Sequence, residues 1–224
     1  MEKGKGSSKA AMRRRRWVVG ITGASGAIYG IRLIEELLAN EYEVHLVITE
    51  AGWRVLKEEL GWEASKRTAA LERRFGEWLS QGRLVFYPNA DIGAAIASGS
   101  FRVEGMLIMP CSMGTLSSIA HGISDDLMTR AADVMLKEGR KMLLVPRETP
   151  LHAIHLENML TLARLGVTIV PAMPAFYYKP QSMEEMIDFL VGKVLDNIDI
   201  DHDLYRRWGD EHHDTGTPDR RRED

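Results

Sequence analysis

Thr22-Gly23-Ala24-Ser25-Gly26-Ala27 stands where an apolar run gives way to a helical pattern. The first N–H groups of a helix lack intrahelical partners and the helix dipole favours negative charge, so such a junction can cradle a phosphate; it can equally be a tight turn with a Ser cap. Its glycines fall at 20, 23 and 26, which excludes the dinucleotide fingerprint G-x-G-x-x-G, and the lysine of a P-loop is missing. Pro110-Cys111-Ser112-Met113-Gly114-Thr115 is a second junction of the same kind. Small side chains there let backbone approach a flat ring, and the Ser112 and Thr115 hydroxyls can bond polar ring edges; an ordinary helix cap is the competing reading.

Arg147 and Glu148 lie between Pro146 and Pro150, at the end of an apolar run. A guanidinium held by a stiff backbone suits phosphate, because its fork can grip two oxygens. Cys111 has no base beside it in sequence and reads as a buried structural thiol. His152 and His155 are three apart on a predicted helix, yet no third ligand follows, so no metal site is expected. Arg130 and Lys137, seven apart on one predicted helix, share a face, and Lys193 lies on the last helix; charges so placed are ordinarily solvated. Tyr177 can donate to a phosphate, although packing is the usual work of an aromatic residue.

The elements that must position these residues alternate. Strands are predicted over residues 17–22, 44–49, 84–87, 105–109 (ending before Pro110), 141–145 and 167–170. Helices are predicted over 27–39, 51–60, 66–79, 112–120, 125–138, 151–165 and 182–198, with a long small-residue loop over 88–100. This alternation indicates an α/β fold, a three-layer doubly wound parallel sheet of Rossmann-like or flavodoxin-like type, in which ligands bind beyond the carboxyl ends of the strands.

The chain has 224 residues, 45% of them apolar and 27% charged, enough for one domain with a sizeable core over residues 17–208. Residues 1–16 carry seven basic side chains against one acid and no apolar stretch that would make a signal peptide or anchor; they read as a disordered basic arm. Residues 209–224, with three basic and six acidic side chains, read as a charged flexible tail. The body between is acidic, which argues against nucleic-acid recognition, and no run is long and apolar enough for a membrane. A lone cysteine fits a reducing, cytoplasmic setting.

Together T-G-A-S-G-A at 22–27, A-S-G-S at 97–100, P-C-S-M-G-T at 110–115, R-A-A-D-V-x-L-K-E at 130–138, V-P-R-E-T-P at 145–150 and I-H-L-E-N-M-L at 154–160 resemble the UbiX family of flavin prenyltransferases. The resemblance runs from about residue 17 to 208. It implies binding of reduced FMN and transfer of the dimethylallyl group of dimethylallyl monophosphate to N5 and C6 of the flavin. The product would serve a UbiD-type decarboxylase. By matching motifs, Gly23, Ala24, Ser25, Thr49, Ser112, Met113, Gly114, Thr115 and Arg147 would contact FMN, while Tyr177 and Lys193 would hold the isoprenoid phosphate. Ser25, Glu59, Arg130, Lys137 and Glu148 would carry the chemistry, Ser25 and Glu59 moving the proton and Glu148 placing phosphate oxygens. The family also implies a homo-dodecamer with sites near subunit boundaries, contacts being expected over 95–101 and on the last helix. Two other readings are an FMN carrier or subunit of an aromatic acid decarboxylase, and a flavin-dependent cysteine decarboxylase.

Overall fold

Runs of Val, Ile, Leu and Met supply the strands of the sheet in a computed structural model that describes residues 15–207. The strands are β1 (Arg16–Ile21), β2 (Glu43–Ile48), β3 (Leu84–Pro88), β4 (Gly105–Cys111), β5 (Lys141–Pro146) and β6 (Thr168–Ile169). All pair in parallel, in the order β3-β2-β1-β4-β5-β6. The four inner strands are buried along nearly their whole length, as helices on both faces require, whereas the edge strands β3 and β6 are only partly covered.

The helices are α1 (Ala27–Ala39), α2 (Glu50–Leu60), α3 (Arg67–Ser80), α4 (Met113–Ala120), α5 (Leu127–Lys137), α6 (Ala153–Arg164) and α7 (Met183–Asn197). Residues of α4, α5 and α6 pack with Val18, Met106, Ile108, Met142 and Leu144 on one face of the sheet. α1 packs against β1, β2 and β4. Gly30 of α1 lies so near the sheet that a Cβ there would stand 2.2 Å from the Met109 carbonyl oxygen and 2.9 Å from Ile21. Thr49, Ser112 and Asp126 cap α2, α4 and α5, each side chain accepting an N–H of the first turn. The chain forms two compact units that divide between Ala172 and Met173; the sheet and α1 to α6 belong to the first, α7 to the second.

Three expectations need correction. β4 continues through Pro110 to Cys111. Proline is tolerated there because pairing with β5 shifts register between Ile108 and Cys111, so its missing N–H breaks no regular ladder. The basic arm stops short of residue 16: Arg16 opens β1 and pairs with Glu43, and Arg15 pairs with Glu104. Residues 1–14 of that arm and the tail at 209–224 lie outside the described residues. The loop at 88–100 is not structureless either. It holds a 3-10 turn (Ala95–Ala97), and Asn89 is tied to the start of α5 through Leu127, Met128 and Asp126.

Candidate active site

β1 and β4 are neighbours, yet the chain leaves β1 toward β2 on one side and β4 toward β5 on the other. A crevice opens at the carboxyl ends of two strands that part in this way. Thr22 stands at its base with no solvent exposure. Its hydroxyl donates to the Pro110 carbonyl at 2.8 Å and accepts the Ser112 N–H at 2.7 Å, while its own N–H reaches Pro110 at 3.2 Å. One side chain thus fixes the spacing of the two loops that the sequence singled out.

On the β1 side, Gly26 takes a left-handed conformation (φ 101°) that favours glycine, and the chain turns there into α1. Both carboxylate oxygens of Glu59 accept the Gly26 N–H, at 3.1 and 3.0 Å, and one also accepts the Ala27 N–H at 3.0 Å. The start of α1 therefore already holds one anion. Among the described residues, the N–H groups of Gly23, Ala24 and Ser25 find no hydrogen-bond partner. A Cβ on Gly23 would lie 2.5 Å from that of Ala51, so the loop sits flush against α2.

On the β5 side, the Arg147 N–H reaches the Cys111 carbonyl at 3.4 Å, and its Nε donates to the Ser25 carbonyl at 3.3 Å. Its guanidinium is thereby carried to the free amides. Tyr29 lies in the same neighbourhood. Burial raises its phenol above the ordinary value, the Arg147 charge lowers it and the Glu59 charge raises it again.

On the β4 side, Ser112 caps α4 by accepting the Thr115 N–H at 3.3 Å, and its hydroxyl donates to that of Thr115 at 3.0 Å. Thr49 accepts the Gly52 N–H at 3.0 Å. Cys111 is fully buried, and burial pushes its thiol far above the usual range, so it stays protonated, as expected of a structural thiol.

The remaining expected residues have the following surroundings. Arg130 and Lys137 are on α5, which begins beside Asn89 at the carboxyl edge of the sheet and ends just before Lys141 opens β5 at the amino edge. Lys137 therefore lies across the sheet from Ser25 and Arg147, and its Nζ faces Glu138 at 4.0 Å. Arg130 pairs with Asp133 at 3.3 Å. Glu148 is exposed at the end of β5 and accepts the Thr149 N–H at 3.0 Å. Tyr177 and Lys193 belong to the second unit, where Tyr177 packs edge-on against Phe189 and Lys193 faces Asp196 at 3.7 Å.

Sequence reasoning placed Thr22 in the phosphate-binding segment but missed its bridging role, and it missed Tyr29 altogether. A threonine that ends an apolar strand, just before a glycine loop, was the available signal for Thr22; nothing in the pattern marks Tyr29. Among the described residues no three His, Cys, Asp or Glu side chains gather as a metal site would need, and no helix is long and apolar enough to cross a membrane.

Three free amides, a neighbouring guanidinium and a second helix N-terminus across the crevice fit a phosphate joined to a flat ring with polar edges. The chain is similar to known flavoproteins. A model of the Flavoprotein family matches residues 5–204. A protein of Alkalihalophilus pseudofirmus named Flavin prenyltransferase UbiX is 56% identical over 192 residues, 86% of this chain and 95% of its own length. The crystal structure of AnUbiX (PadA1) in complex with FMN and dimethylallyl pyrophosphate aligns with TM-score 0.79 at 43% identity, over 88% of this chain and 98% of that one. A dodecameric FMN-dependent UbiX-like decarboxylase from Escherichia coli O157:H7 aligns with TM-score 0.77 at 42% identity, over 86% and 98%.

Proposed function

We infer that this chain, which belongs to the UbiX family of flavin prenyltransferases, joins the dimethylallyl group of dimethylallyl monophosphate to reduced FMN at the crevice between β1 and β4. The free amides of Gly23, Ala24 and Ser25 beside the Arg147 guanidinium are the observation that carries this reading. Reduced FMN, when bound, supplies the electron-rich ring that accepts the allyl group.

The protein's own residues do the rest. Gly23, Ala24, Ser25, Thr49 and Arg147 hold the flavin from the β1, β2 and β5 ends, and the segment from Ser112 to Thr115 approaches it from β4. Breaking the carbon–oxygen bond of the donor leaves negative charge on phosphate, so fixed cations lower the barrier. Arg130, Lys137, Arg147 and Lys193 serve there, Tyr177 helps to hold the phosphate and Glu148 orients its oxygens. Holding donor and acceptor in contact makes a bimolecular attack effectively unimolecular.

Ser25 and Glu59 move the proton released at the flavin carbon. Glu59 keeps both oxygens on the α1 amides, which holds its carboxylate beside Ser25. Because Lys137 lies across the sheet from the crevice, its charge reaches a site only from a neighbouring copy, which makes the active unit a homo-oligomer, a dodecamer like the E. coli relative. The prenylated flavin passes to a UbiD-type decarboxylase, in a reducing compartment such as the cytoplasm.

With these cations in place the departing phosphate requires no metal. Phosphate release from dimethylallyl monophosphate by the FMN-loaded, reduced protein should proceed unchanged in a chelator. Activity lost in chelator and restored by magnesium would remove metal independence. No release under any condition would favour a flavin carrier.

A further inference from the structure

We propose that Asp196 and Tyr205 are positioning residues for Lys193, keeping its ammonium group ready for the donor phosphate; this rests on the reading that Lys193 binds that phosphate. Lys193 lies one helical turn before Asp196 on α7, with Nζ 3.7 Å from Oδ2 and 5.9 Å from the centre of the Tyr205 ring. Beyond α7 the chain reverses at Asp199, whose φ is 59°, and runs back along the helix. Three side chains of the returning segment converge on the Asp196 carboxylate. Arg207 donates to Oδ1 at 2.8 Å, His202 Nε2 reaches the same oxygen at 3.2 Å, and the Tyr205 hydroxyl donates to Oδ2. His202 Nδ1 accepts the Leu204 N–H at 3.2 Å, which leaves Nε2 as the nitrogen that carries the proton to Asp196.

The contact needs Gly192. A Cβ there would meet His202 and Tyr205 at 2.6 Å, so only glycine lets the segment lie flush on α7. Phe189 extends the same packing, touching Tyr205 at 4.9 Å and Tyr177 at 6.0 Å between ring centres. Both residues assigned to the donor phosphate are thus tied to one segment. Burial raises Asp196, but hydrogen bonds from Arg207 and Tyr205 outweigh it and hold the carboxyl below its ordinary value, so it is charged at neutral pH.

The division of contacts is what makes this a holding device. Arg207, His202 and Tyr205 take the short bonds to Asp196, whereas Lys193 sits beyond hydrogen-bond distance. Its stem is steered by charge, and its three N–H donors stay available for phosphate oxygens.

The test measures steady-state prenylation by the full chain with saturating reduced FMN, varying dimethylallyl monophosphate. Tyr205→Phe keeps the ring and removes the hydroxyl on Asp196; Asp196→Asn removes the charge facing Lys193. The expected result is a donor KM raised about fivefold in the first and about tenfold in the second. FMN affinity and kcat should stay within about twofold of the parent in Tyr205→Phe, which decides the matter if Asp196→Asn does not fold. An unchanged donor KM in both variants, with Lys193→Ala raising it, would overturn the positioning role alone. An unchanged KM in Lys193→Ala would overturn the reading beneath it and the proposal together. A KM rise matched by an equal loss of FMN affinity would reduce the segment to general packing, which also overturns it.

Discussion

Thr22 shows how much one buried hydroxyl can settle. It both donates and accepts at the junction of β1 and β4, so its loss strands a carbonyl and an amide where little water reaches. Thr22→Val, nearly equal in shape, should cost about 2 kcal/mol in urea denaturation and weaken FMN binding, while Thr22→Ser keeps most of both. A Val variant as stable as the parent would mean that the two loops are spaced by packing alone. At this scale the sequence is legible where chemistry and backbone agree. Small residues at 23–27 and 112–115 announce close approach, and the prolines flanking Arg147 and Glu148 announce a fixed turn. The bridging role of Thr22 hides because a hydroxyl closing an apolar run reads as one more strand residue, and the role of Asp196 hides because its partners come from a segment with no periodic pattern.

The elements follow the physics of burial closely. Among the described residues, seven helices and six strands fall near the predicted spans because both-sided burial gives continuous apolar runs and one-sided burial gives helical spacing. The differences sit where a local rule yields to a tertiary contact: Pro110 stays in β4, and Arg16 joins β1 because Glu43 on the next strand receives its charge. The approach of α1 to the sheet is close at Gly30, beside the ends of β1 and β4. In Gly30→Ala the new methyl would stand 2.2 Å from a backbone oxygen that cannot rotate away, so α1 must shift. The expected loss is about 2 to 3 kcal/mol in stability, with weaker flavin retention, read by denaturant unfolding and fluorescence titration. A variant matching the parent in both would show that α1 tolerates displacement and that its position does not govern the site.

For the whole molecule, strand order is the step that one-dimensional pattern leaves out. Alternating strands and helices dictate a parallel sheet, but only the order places β1 against β4 and so identifies which two loops face each other. The same topology sends Lys137 to the opposite edge, and a site that needs it must borrow it. Lys137→Ala should bind FMN yet transfer slowly, and Arg147→Ala should bind FMN weakly. Chains of the two variants, mixed and reassembled, should regain activity above that of either alone, since some sites would then receive an intact Arg147 from one copy and an intact Lys137 from another. No recovery in mixed particles would confine the chemistry to a single chain. The most direct measurement of all is the mass of the flavin extracted after the reduced protein has met FMN and dimethylallyl monophosphate. A flavin heavier by one five-carbon isoprenoid unit is the expected result; FMN recovered unaltered from protein that binds it tightly would contradict the assignment.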